Sequence, residues 1–319
     1  MTSKASRLPD VITDTASGQR INLLAWQAAN RRYSLLLLLG VVALFVGLAY
    51  LIAQVYAPAY TLPVVGIATA IAVTQSASAY WFSDKLALRA TGARPATLEE
   101  HRYLVNITEA VAIGAGVPTP KLYVIDSPAP NAFATGRNPQ HGTIAVSKGL
   151  IELLDRQELE GVIAHEMAHI RNYDILLMTL LAATVGAIVI VTDMFGRSLR
   201  FGRTSRGRGR GSGKGGGAAL ILLLILMVIA PLLATLLRFA VSRRREYLAD
   251  ASAVYITRNP EGLARALEKL RDYKGEPLHV SKGVEHLFFT NPTRRFNASH
   301  LFATHPPLDE RINRLRRMS

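Results

Sequence analysis

The sequence predicts a mainly α-helical membrane protein, with four membrane-crossing helices joined to a soluble α+β part that carries a small sheet. Three observations carry this. Half of the 319 residues are apolar and mean hydropathy is +0.20, high for a soluble protein and enough chain for one or two domains. Four apolar runs approach the length of about 20 residues that a bilayer crossing needs. Between and after them lie segments with apolar residues at helical spacing, interrupted by three short β-patterned runs.

Charge and cysteine usage narrow the chemistry. The formal net charge of +14 calls for an anionic partner, either lipid headgroups or nucleic acid. There are no cysteines, which excludes disulfides and thiolate metal ligands. Any metal must be held by His, Asp and Glu.

Residues 1–33 read as a polar, cytoplasmic N-terminal segment. The first apolar run begins too late for the core of a cleavable signal peptide. Residues 34–83 hold two membrane helices: Ser34–Ala53, free of charge, and Thr61–Phe82, interrupted by Thr74, Gln75, Ser76 and Ser78. Arg31 and Arg32 precede the pair, Lys85, Arg89 and Arg94 follow it, and the turn QVYAPAY between them has no Lys or Arg. The positive-inside rule then places the N-terminus and everything after residue 84 in the cytoplasm, on a multi-pass protein of the cell membrane.

Residues 84–174 form the first soluble part. Leu98–Ile113 has a helical apolar face and ends at the breaker GAGVPTP. KLYVID (121–126), NAFATG (131–136) and GTIAVS (142–147) read as strands, with GRNPQHG turning between the last two. Ser147 caps a short helix, Lys148–Leu154, and another helix runs from Asp155 through HEMAH. Residues 175–237 read as a membrane hairpin of Ile175–Val191 and Ala218–Leu237, the latter containing Pro231. Its loop, 196–217, holds six arginines and Lys214 with no acid. If both segments cross, that loop breaks the positive-inside rule. Either the pair forms a shallow hairpin or the first pair fixes the orientation; full crossing is the reading taken. The Arg/Gly-rich loop itself is low-complexity, a solvated linker or a binder of RNA or anionic lipid. Residues 238–319 form a second soluble part, mostly helical, with Asn259-Pro260 and Asn291-Pro292 as breaks.

The chemistry gathers at HEMAH, residues 165–169. Residues four apart share a helix face, so His165 and His169 offer two imidazoles to one point. That suits a tetrahedral zinc ion, one per chain. Glu166 is offset by about 100° on a 3.6-residue helix. It can reach a water at the metal without being a ligand, as a general base requires. Without cysteine, the third ligand must be His, Asp or Glu. Asp174, five residues past His169, reads as a helix-boundary residue. Glu246, in RRREYLADASAV, shares a face with Asp250. One carboxylate of that pair can bind metal while the other orients a ligand imidazole. A salt bridge from Glu246 to Arg243–Arg245 is the rival reading. An even number of crossings separates His169 from Glu246, so both lie on one side of the membrane.

NAFATG, HEMAH, a hydrophobic pair, EYLAD and THPPLDERI follow one another in an order that resembles the HtpX-type membrane zinc endopeptidases, gluzincins related to the CAAX prenyl endopeptidases. The resemblance covers about residues 30–319. It implies a zincin-like catalytic domain, zinc ligands at His165, His169 and Glu246, a general base at Glu166, and Asp250 as partner of a ligand histidine. It implies that NAFATG is a sheet edge on which substrate lies as an added strand, with Asn131, Ala132 and Phe133 in contact with it. His305, in HPP, resembles an oxyanion-stabilising histidine, against the plain alternative of a capping or packing role. The implied activity is cleavage of misfolded or damaged membrane proteins and unfolded polypeptides in envelope quality control. The Arg/Gly richness of 196–217 departs from the family. His101, His141, His279, His286 and His300 have no usable paired spacing.

Three other readings stand beside this one. A protease-like scaffold without catalysis would tolerate loss of Glu166. A zinc hydrolase of a non-peptide ester or lipid would use the same site. A nucleic-acid binder built on the Arg/Gly loop leaves HEMAH unexplained and lacks aromatic platforms beside the arginines, so nucleic acid is not the expected partner.

Overall fold

The computed structural model describes residues 11–14, 18–56, 58–181, 243–278, 287–290 and 306–318. The Arg/Gly-rich loop, the fourth apolar run, most of the third and His305 lie outside the described residues. Among those described, helix dominates and the strands form one hairpin and one small mixed sheet.

The first described residues form an antiparallel hairpin that the sequence reading did not anticipate, β1 (Val11–Asp14) and β2 (Gln19–Asn22). Its Ile12 packs with Leu23, Leu248 and Ala251, so a segment read as merely polar is docked against residues from the second soluble part. Helix α1 (Leu23–Tyr56) follows at once. Its 34 residues reach about 51 Å at 1.5 Å per residue. That exceeds a hydrocarbon core of about 30 Å. Pro58–Tyr60 makes a 3-10 turn, and α2 (Thr61–Ala90) runs back. Both helices are long and apolar enough to cross a membrane. They leave Leu35, Leu36, Leu39, Leu62, Ile67 and Ile71 exposed, an apolar surface that water does not favour and lipid does.

The sheet has the order β3-β4-β6-β5: β3 (Arg94–Pro95), β4 (Lys121–Ile125), β5 (Ala132–Gly136) and β6 (Gly142–Ser147). β4 and β6 are parallel, while the β3–β4 and β5–β6 pairs are antiparallel. β5 is therefore an edge strand. Helix α3 (Leu98–Ala115) starts where the Thr97 hydroxyl accepts from Glu100 N–H and stops at Gly116, whose φ of 67° is open to glycine. The Ser147 hydroxyl caps α4 (Lys148–Leu153) by accepting from Leu150 N–H.

Helix α5 (Arg156–Arg171), which carries HEMAH, opens with a complete capping box between Asp155 and Glu158. It lies at the centre of the fold, packed against the sheet, α3, α6 (Arg243–Thr257) and α7 (Pro260–Asp272). Leu159, Val162, Ile163 and Met167 are fully buried in this core. Gly161 allows a close approach to α7, since a Cβ there would stand 2.9 Å from the Leu263 backbone. The short helix α8 (Leu308–Arg316) packs on α7 and α6.

Candidate active site

Two elements far apart in sequence build the cluster. α5 presents His165 and His169, and α6 presents Glu246; all three are buried. The two Nε2 atoms lie 3.1 Å apart. Glu246 turns one carboxyl oxygen toward each ring, 3.8 Å from His165 Nε2 and 3.7 Å from His169 Nε2. A tetrahedral ion with arms of about 2.05 Å needs ligand atoms about 3.3 Å apart. Two neutral nitrogens and one carboxylate at this spacing fit a divalent cation of the zinc type.

The outer ring nitrogens are held from behind. His165 Nδ1 donates to Asp250 Oδ1 at 2.9 Å, one helical turn beyond Glu246. His169 Nδ1 donates to Asp174 Oδ2 at 3.0 Å. Asp174 does sit at a helix boundary, as its position suggested, but it also turns back. Tyr173 adopts the left-handed region at φ 60°, reversing the chain after α5, and Arg31 stacks on its ring at 5.0 Å. Asp174 is the acceptor for several donors: Arg245 Nε at 2.7 Å and Asn30 Nδ2 at 2.7 Å as well as Trp26 Nε1 at 3.3 Å. Trp26 and Asn30 come from the first turns of α1, so the membrane helix touches the support of His169 directly.

Sequence reasoning also missed Arg311, on α8 within THPPLDERI. It is fully buried and grips Asp250 with two bonds, Nε to Oδ2 at 2.9 Å and Nη2 to Oδ1 at 2.7 Å. Its Nη1 stands 3.6 Å from Glu246 Oε2. The signal available was a charged residue at core spacing on an amphipathic helix, beside Ile312 and Leu315, which are buried too.

Electrostatics follow from this packing. Burial pushes the His165 imidazole down to about 4, against the pull of Asp250 and with help from Arg311. It stays neutral with its Nε2 lone pair available. Burial works the same way on His169, but the bond to Asp174 and the charge of Glu246 lift it to about 9. A metal ion would take that proton's place. Burial raises the Glu166 carboxyl to about 7, with the Glu246 charge adding and a hydrogen bond from the Ala134 amide of β5 opposing. Burial also works to raise Asp250, yet Arg311 and His165 hold it below its usual range.

The NAFATG residues lie beside this cluster along β5. Asn131 is buried, and its Nδ2 donates to Thr290 O at 2.9 Å while its Oδ1 accepts from Thr290 N at 3.2 Å and from Ala132 N at 3.0 Å. Ala132 O accepts from Phe289 N at 2.8 Å. Phe133 forms an antiparallel bridge with Phe288. Of the residues singled out in the sequence, His165, Glu166, His169, Glu246 and Asp250 thus converge, with Asn131, Ala132 and Phe133 on the adjoining strand.

The family model and the sequence relatives point the same way. Peptidase family M48 matches residues 98–319. The protease HtpX homologue of Caldanaerobacter subterraneus subsp. tengcongensis is 46% identical over 241 residues, covering 76% of this chain and 80% of the relative. That of Dictyoglomus thermophilum is 48% identical over 240 residues, covering 75% and 77%. Among solved structures, the crystal structure of S. mikatae Ste24p aligns with 92% of this chain and 67% of its own, at a TM-score of 0.46 and 20% identity.

Proposed function

On the premise that the chain belongs to peptidase family M48, we propose that this membrane metalloprotease holds zinc between His165, His169 and Glu246 and hydrolyses peptide bonds of misfolded or damaged membrane proteins at the cytoplasmic face. The observation that carries the reading is the buried His165–His169–Glu246 cluster, with the Glu166 carboxyl alongside and tied to the edge strand β5.

When bound, zinc supplies a Lewis acid and brings the pKa of water toward about 7. The rest is done by the chain. Asp250 and Asp174 fix the ring orientation and tautomer of His165 and His169, leaving both Nε2 atoms for the metal. Glu166 takes a proton from the attacking water and returns it to the leaving amine, the part of a general base and acid beside the metal. The outer edge of β5, paired here with residues 287–290, is the place where an extended peptide would add as a strand, which favours a polypeptide over a small ester. His305, next to Pro306, is the candidate for steadying the oxyanion. The hydrogen bonds from Trp26 and Asn30 of α1 to Asp174 support a site close to the bilayer surface. Arg31 and Arg32 ahead of the apolar part of α1, and Lys85, Arg89 and Arg94 at and past the end of α2, support a cytoplasmic orientation, and the four apolar runs support four crossings.

The test combines metal analysis with casein cleavage by full-length protein in detergent. Wild type is expected to carry a single zinc ion and cleave. Glu166→Gln should keep zinc and lose about 100-fold or more in turnover, and Glu246→Ala should lose zinc. A Glu166→Gln protein that still cleaves at the wild-type rate would overturn the mechanism.

A further inference from the structure

The edge of β5 beside the cluster is occupied by the chain itself. In a strand, alternate residues face the same side, so Ala132 and Ala134 both turn their backbone groups to the outer edge. Ala134 faces Leu287 across the bridge, close to the Glu166 carboxyl. The Ala132 carbonyl accepts from Phe289 N at 2.8 Å, and the Asn131 side chain brackets the Thr290 peptide group through Nδ2 and Oδ1. The Phe133–Phe288 bridge is antiparallel. Leu287–Thr290 is thus held as an added strand along the edge of β5 that runs beside the metal cluster.

The side chains complete the match. Phe289 is buried, with its ring edge-on to His165 at 4.8 Å and beneath the Arg311 guanidinium at 4.8 Å. Phe288 turns to the other face and packs edge-on against Phe133 at 4.9 Å. A bulky apolar side chain therefore fills the pocket that adjoins the metal cluster, carried on a backbone bonded where a substrate backbone would be bonded.

We propose that Leu287–Thr290 is a resident pseudo-substrate: it holds the peptide-binding edge shut until a polypeptide with a bulky apolar side chain displaces it, and Phe289 marks the side chain that the pocket selects. This rests on the peptidase reading of β5 and adds a regulation and a substrate preference to it. A strand that merely walls the site behaves differently. Its removal weakens substrate binding, whereas removal of an occupant strengthens it.

The experiment uses zinc-loaded, full-length wild type, Phe289→Ala and Phe288→Ala in detergent. The substrates are fluorogenic peptides that differ at a single position occupied by Phe, Leu, Ala or Asp. Phe288→Ala leaves the residues around the metal untouched, so it carries the test if Phe289→Ala fails to fold. If the segment occupies the edge about nine-tenths of the time, its loosening lowers KM about tenfold. Wild type should prefer the Phe and Leu peptides. A synthetic peptide of sequence LFFT should inhibit Phe288→Ala more tightly than wild type. An unchanged or raised KM in a metal-loaded variant, or equal inhibition by LFFT, overturns the proposal. If no protein cleaves any peptide, the peptidase reading falls and takes the proposal with it, a result distinct from an active enzyme whose KM ignores the substitutions.

Discussion

Arg311 carries a charge that no ordinary pH removes, and it is completely buried. Its two bonds to Asp250 balance a carboxylate that would otherwise be stranded among apolar neighbours. Asp250 in turn sets the direction of His165. Arg311→Met leaves a buried carboxylate without its partner, a change that costs about 3–5 kcal/mol. Disturbing a group that orients a metal-binding imidazole weakens metal affinity by about 10–100-fold. Arg311→Lys restores charge but not the forked pairing and should fall between. Melting temperature and zinc content, measured on the same preparations, check both effects. Wild-type zinc content in Arg311→Met would show that Asp250 orients His165 unaided.

Among the elements, α1 is more than an anchor. Asn30 is buried, donates to Asn172 O at 2.8 Å and to Asp174 Oδ1 at 2.7 Å, and accepts from Arg245 Nη2 at 3.1 Å. An apolar replacement of similar size, Asn30→Leu, keeps the helix but removes a donor from Asp174 and leaves the polar groups around it less satisfied. The expected result is zinc bound more weakly than in wild type, read by competition with a chelating dye, in protein that still inserts into membrane. Undiminished zinc affinity would reduce α1 to an anchor. The reason sequence could not reveal this link is physical. Strands 121–126, 131–136 and 142–147, and the cap at Ser147, were legible because turns, β-branched runs and capping side chains act over a few residues. Strand β3 was not, being two residues long and containing Pro95. The parallel pairing of β4 with β6 needs contacts that no local pattern encodes. Asp174 was discounted because its return to His169 depends on Tyr173 entering the left-handed region, which is uncommon for a tyrosine. His165, His169 and Glu166 could be read because one helix fixes their spacing.

At the scale of the molecule, the cluster ties α5 to α6 across the long stretch from His169 to Glu246, and α8 joins through Arg311. Emptied of metal, this region gathers the Glu166, Glu246 and Asp250 carboxyls in an apolar interior, with His169 retaining a proton. An ion that binds the folded chain and not the unfolded one stabilises it by mass action, about 4 kcal/mol when free metal is about a thousand times its Kd. Chelation of full-length protein in detergent should therefore lower the melting temperature, and zinc added back should restore it. Glu246→Ala should begin near the chelated value and respond little to either treatment. The same loss should open the packing between α5 and α6 before that between α1 and α2, since α1 and α2 contribute no ligand to the cluster. Hydrogen exchange resolves the order: amides of 156–171 and 243–257 should lose protection on chelation while those of 34–53 and 61–82 keep theirs. Uniform loss across all four segments would mean that the fold is held by the membrane hairpin rather than by the ion.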